Sequence, residues 1–123
     1  MQLPFADESV PSLSCMHVVE HVGLGRYGDP LDPCGDIKAC RELSRVLQVG
    51  GSLLFVVPVG RPRVCFNAHR IYSVEMVRAL FPTLKLAEWA LLTDNEAQGL
   101  VDDPTEALAN AQSYGCGCFR FTK

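Results

Sequence analysis

The chain has 123 residues, enough for one domain of ordinary size and no more. Hydrophobic residues make up 48% and charged residues 20%, with a formal net charge of −3. That balance argues against disorder, a collagen-like or coiled-coil rod, and a chain built mainly to grip nucleic acid. No apolar run approaches the roughly 20 residues that span a bilayer, and MQLPFADESV lacks the basic start and apolar stretch of a secretory signal. The expectations are a cytoplasmic location, no membrane and no nucleic-acid partner. In that setting the six cysteines (Cys15, Cys34, Cys40, Cys65, Cys116, Cys118) read as free thiols. Only Cys116 and Cys118 are close in sequence, at a spacing that points both to one sheet face if the segment is a strand.

SLSCMHVVEHV, closing on Gly23, reads as a short buried strand over its first half, with the polar HVVEH at its carboxyl end. GLGRYGDPLDPCG follows, a thirteen-residue loop with four glycines and two prolines. Asp36 is positioned to cap a helix over IKACRELSRVLQ, where Ile37, Cys40, Leu43 and Leu47 recur at helical spacing and Gly50-Gly51 forms the stop. SLLFVVPV, residues 52–59, is an uninterrupted apolar run and predicts a strand covered on both faces. Strand, helix and strand in that order imply a parallel unit with a right-handed crossover.

A second loop, GRPRVCFNAHRIY, leads to Ser73, the predicted N-cap of a helix over VEMVRALF with Val74, Val77, Leu80 and Phe81 inward and Pro82 as its stop. Val64, Cys65, Phe66 and Ile71 are expected to pack and hold that loop still. LKLAEWALL makes a third strand. Pro104 fits the first turn of a short helix in the acidic stretch from Thr93 to Ser113. YGCGCFRFTK closes as a strand antiparallel to the third. The result is an α/β fold with four strands, and ligands of such sheets bind beyond the carboxyl ends of the parallel strands. HVVEH and the VGRPR loop should therefore share one rim.

Three motifs bear on chemistry. Gly23, Gly25 and Gly28 match the dinucleotide fingerprint G-x-G-x-x-G, but Pro30 and Pro33 forbid the helix that would hold a pyrophosphate, so a plain loop is expected. His17, Glu20 and His21 match H-x-x-E-H, whose zinc-protease chemistry needs a helix; the strand-like setting leaves them as weak metal candidates beside a backbone-bonding role. Arg61, Arg63, Asn67 and Arg70 crowd the second loop, where they could receive an anionic or heavily hydroxylated substrate, and His69 could act as general base.

Together these landmarks resemble the C-terminal half of a class I S-adenosylmethionine-dependent methyltransferase. Leu3-Pro4-Phe5-Ala6-Asp7-Glu8-Ser9 resembles the LPF-x-D-x-S segment before the fourth strand of that fold, and SLSCMHVVEHV that strand with its trailing E-H. RVLQVGG followed by SLLFVVP resembles the R-V-L-K-P-G-G turn and fifth strand, with Gln48-Val49 replacing Lys-Pro. His69 to Ser73 resembles the H-x-x-x-S entry to the next helix. HVVEHVGLGRYGDPLDP and RVCFNAHRIYS are similar to domain-of-unknown-function family 268. The resemblance covers nearly the whole chain and implies a partial Rossmann-like methyltransferase sheet, strands 4 to 7 of that fold.

The resemblance implies methyl transfer from S-adenosylmethionine to a small polar, sugar-like or anionic acceptor. His69 and His21 would be catalytic. Leu3, Pro4, Phe5 and His17 would be the cofactor-side positions, and Arg61, Arg63, Asn67 and Arg70 would meet substrate. His17, Glu20 and His21 fall where some small-molecule O-methyltransferases of this superfamily place an E-x-x-E-H metal site, with His at the first position here. The glycine-rich cofactor loop of the family has no counterpart in these residues. A seven-stranded sheet, at about 30 residues for each strand-helix-strand unit, needs about 200. Residues 1–123 thus read as a single, incomplete domain. The first strand is expected to stand as a free edge that pairs with a second copy or with the missing N-terminal half. The alternative reading is a non-catalytic binding or dimerisation module. A third, a metal hydrolase on HVVEH, requires bound zinc.

Overall fold

A computed structural model describes residues 2–123. In chain order the elements are β1 (Val10–Met16), α1 (Gly35–Val46), β2 (Leu47–Val59), β3 (Arg63–Cys65), β4 (His69–Ile71), α2 (Val74–Leu80), β5 (Lys85–Leu92), β6 (Leu100–Asp102), α3 (Glu106–Asn110) and β7 (Gly115–Thr122). Five strands form one sheet in the order β1-β2-β7-β5-β6; β1 and β2 are parallel and every other pairing is antiparallel. β7 is antiparallel to β5, as expected, and inserts between it and β2. β1 is an edge, pairing among the described residues with β2 alone. The hairpin β3–β4 and the three-residue β6 carry no sequence signal strong enough to announce them.

One sheet face carries the core. Leu53, Phe55, Val57 and Val59 of β2, Trp89 and Leu91 of β5, and Phe119 and Phe121 of β7 are buried there with Ala39, Cys40 and Leu43 of α1 and Val74, Val77 and Leu80 of α2. Phe81 wedges its ring against Phe55 and Phe121, at centroid distances of 4.9 and 4.8 Å. Burying one such side chain contributes roughly 1.5–3 kcal/mol, so Phe81 helps Val74, Val77 and Leu80 attach α2 to the sheet. Helix α2 follows the local code: the Ser73 side chain accepts the Met76 amide, and Phe81 leaves the helical conformation before Pro82.

The opposite face departs from expectation. β2 is not covered on both sides: Leu54 is 41% exposed and Met16 of β1 is 55% exposed. The reason is topological. The crossover helices lie on one side, so alternate residues of the same strands face a shallow open trough of about 740 Å³ bordered by Met16, Leu54, Val56, Cys118 and Arg120.

Asp36 is not the cap of α1. The helix starts at Gly35 with Cys34 at the N-cap and no side-chain cap bond, while Asp36 is buried and accepts a hydrogen bond from the Tyr72 hydroxyl (3.0 Å). Its buried stripe is correspondingly shifted: Ile37 is exposed and Leu47 has already entered β2, because it pairs with Val10 at the start of the parallel ladder. The helix therefore ends at Val46, before Gly50-Gly51. Thr105, not Pro104, governs the start of α3, its hydroxyl accepting the Leu108 amide.

Candidate active site

The carboxyl ends of β1 and β2 form the rim on which this site stands. Beyond Met16 the chain turns sharply at His17, whose φ of 53° lies in the left-handed region, and then makes a single 3-10 turn over Val19–His21. This short turn, in place of the helix that H-x-x-E-H zinc chemistry requires, points Glu20 inward until it is 1% exposed. One carboxylate oxygen of Glu20 lies 3.0 Å from His17 Nδ1 and 3.8 Å from His21 Nε2. Its other oxygen is buried without a partner. No group of three or more metal-ligating side chains with metal-site geometry occurs among the described residues.

His21 Nδ1 donates to the Ala68 carbonyl at 2.6 Å, which fixes the ring and turns Nε2 toward Glu20. The His69 ring, on β4, meets His21 edge-on at 6.5 Å and Tyr114 at 5.1 Å. Three histidines, Glu20 and Tyr114 thus share the rim. Burial holds the His69 imidazole below its ordinary range, and the neighbouring His21, Arg26 and Arg63 push the same way against an opposing pull from Glu20. A neutral ring is what a general base at neutral pH needs.

The arginine loop divides into two parts. Arg61, Arg63 and Asn67 are exposed beside the rim, with the Arg63 guanidinium donating to the Ser113 carbonyl at 3.0 Å. Arg70 does not stand with them. It is buried, 3.4 Å from Asp36, and donates to the Val22 carbonyl at 2.7 Å, so its charge is spent inside the fold. Nor is the loop held by its apolar residues, since Val64 and Phe66 are exposed and only Ile71 is buried. The β3–β4 pairing and the anchors from Arg70 and His21 hold it instead.

The four expected cofactor-side residues are not brought together. Arg45, near the end of α1, donates to the carbonyls of Leu3 (3.2 Å) and Phe5 (3.0 Å), and Glu42 accepts the Leu3 amide at 2.8 Å. These bonds fix Leu3, Pro4 and Phe5 at the amino end of the strands. His17 is at the other end of β1, some 20 Å away at about 3.3 Å per residue. The expected cofactor-side residues therefore lie at opposite ends of β1. The G-x-G-x-x-G segment is a loop whose Gly23, at φ 83°, runs so close to Asp32 that a Cβ there would strike the Asp32 carbonyl.

Two contributors escaped the sequence reading. Tyr114 closes the rim against His69, and Cys116 on β7 places Sγ 3.6 Å from His17 Nε2. The shared face of Cys116 and Cys118 was legible from their spacing; their meeting with His17, 99 positions away, was not.

The architecture is similar to that of solved structures of about twice the length. The 4+2 cyclase SpnF superposes with a TM-score of 0.63 at 14% identity, over 99% of this chain and 53% of its own. An S-adenosylmethionine-dependent methyltransferase from Thermotoga maritima, described as a possible histamine N-methyltransferase, gives a TM-score of 0.57 at 17% identity, over 99% of this chain and 60% of its own. The chain thus spans little more than half the length of these structures and has a partial methyltransferase-like α/β fold. The family described as "Caenorhabditis protein of unknown function, DUF268" matches residues 7–98, and the chain belongs to it. No curated protein matches. No helix among the described residues is long and apolar enough to cross a membrane.

Proposed function

We propose that this chain is the acceptor-side half of an S-adenosylmethionine-dependent methyltransferase acting on a small polar acceptor, sugar-like or anionic. The observation that carries the reading is the rim itself: His69, held neutral by burial beside His21 and Tyr114, stands at the carboxyl ends of the parallel strands with Arg61, Arg63 and Asn67 exposed next to it. His69 takes the acceptor's proton, and the exposed arginines orient an anionic or hydroxylated group toward it. Holding the acceptor in one geometry is this half's contribution to rate. S-adenosylmethionine would supply the methyl group.

A second reading, a non-catalytic pairing module, is favoured by the free edge of β1 and the bare sheet face beside it. In both readings the sheet is completed across β1 by a further segment or a second copy. Calorimetric titration of S-adenosylmethionine into the protein with its sheet completed across β1 separates them. Saturable heat, with methyl transfer that drops about 100-fold or more in His69→Gln, supports the enzyme. Absence of heat from that completed assembly gives the module reading precedence.

A further inference from the structure

The cysteine pair on β7 lies beyond that reading and independent of it. Cys116 and Cys118 alternate with the buried Gly117 and Phe119, so both thiols emerge half-buried on the bare face. Their backbone partners on β2 are Pro58 and Val56, while the His17 amide is tied to the Val56 carbonyl at 2.9 Å. His17 therefore leans over β2 with Nε2 3.6 Å from Cys116 Sγ, and its Nδ1 is 3.0 Å from the buried Glu20 carboxylate. Because a carboxylate only accepts, Nδ1 carries the hydrogen and Nε2 presents its lone pair to the thiol. Thiol, imidazole and carboxylate form a continuous line, the arrangement by which a base activates a sulfur nucleophile and a third group orients the base. The unpartnered second oxygen of Glu20 leaves that carboxylate reliant on its histidines.

We propose that the Cys116–Cys118 pair, backed by His17 and Glu20, is a thiolate nucleophile that accepts soft carbon electrophiles of the α,β-unsaturated carbonyl class. Cys116 passes its proton to His17 Nε2 and takes the Cys118 proton in its place, so Cys118 carries the thiolate held by the Cys116 S–H. Sulfur then bonds to the β-carbon of the electrophile as the carbon–carbon π pair moves toward the carbonyl. The imidazolium returns its proton to the α-carbon, so no oxidant or leaving group is needed. The two sulfurs titrate as one unit. Cys118 is drawn down to about 7 by the hydrogen bond from Cys116, with His17 adding, and Cys116 is pushed up by that same hydrogen bond and by burial.

The test is competitive alkylation of the chain by acrylamide at pH 7, with each cysteine followed by peptide mass spectrometry. The lowered pair is rich in thiolate at pH 7, and although the lower intrinsic nucleophilicity of an acidic thiol takes back part of that gain, it should react about fivefold or more faster than the exposed Cys34. His17→Asn should return the pair to the rate of Cys34; the half-exposed site and asparagine's tolerance of the left-handed conformation keep the fold. The buried Cys15 and Cys40 should stay silent throughout and serve as the check on folding. Between pH 7 and 8.5 the rate at the pair should flatten. A pair no faster than Cys34, or one unaffected by His17→Asn in a folded chain, overturns the proposal. S-adenosylmethionine is not present, so the result does not depend on methyl transfer.

Discussion

On the helix-covered face Phe55, Phe119 and Phe121 are at most 2% exposed, whereas one residue along from Phe55 Leu54 is 41% exposed, and Met16 on the neighbouring strand 55%. The two faces are built from the same strands, so composition and strand propensity do not separate them. What separates them is which side the connections cross. α1 and α2 pass over one face and bury it, and the other face is left with apolar residues that nothing among the described residues covers. The side chains with chemistry gather where the bare face meets the rim: His17, Cys116 and Cys118 are there, with Glu20, His21 and His69 alongside. Buried apolar packing is concentrated on one side of the sheet, and the ionisable side chains of the candidate site stand at the edge of the other.

Substitutions can break that comparison. Phe81→Ala on the covered side should cost about 3–5 kcal/mol in urea unfolding, since it opens a cavity between Phe55 and Phe121. Arg70→Met should cost a similar amount, about 3–5 kcal/mol, because it leaves Asp36 as a buried charge without its partner. It should also loosen the rim loop, visible as faster amide exchange around His69. A cost below 1 kcal/mol would mean that Arg70 is an exposed substrate arginine after all.

The pH dependence of stability sharpens the rim half of the comparison. Folding lowers the His69 pKa, so the neutral ring is favoured in the native state. Its contribution is fully present above the unfolded value of about 6.5 and is lost as pH falls through the lower folded value. His69→Gln should therefore flatten the acid side of the stability profile just below pH 6.5, measured by thermal melting. The smallest effect belongs to the bare face. Leu54→Thr should change stability by less than about 0.5 kcal/mol, and a loss above 2 kcal/mol would show that the face is covered.

Much of this was readable wherever the signal was local. Ser73 capping α2, the inward Val74, Val77 and Leu80, and the antiparallel partnership of β5 with β7 follow from neighbouring residues alone. Local signals misled where a distant partner decided. Asp36 has the chemistry of a helix cap, but Tyr72 and Arg70, some thirty-five positions on, draw it into the core. The run SLLFVVPV looks doubly covered because periodicity records only which residues are apolar, not whether a second layer exists. At the rim, His17 and Glu20 were legible as a pair, but Tyr114 and Cys116 reach them only because β7 inserts beside β2. A chain order that places the last strand in the middle of the sheet is a tertiary fact.

β1 is an edge strand among the described residues, and we propose that it pairs with a second copy through that edge. Size-exclusion chromatography with light scattering on the purified 123-residue chain tests it most directly. A mass of two or more chains is expected, shifting toward one chain in Ser14→Pro, in the middle of β1. A clean, stable monomer at all concentrations would contradict it.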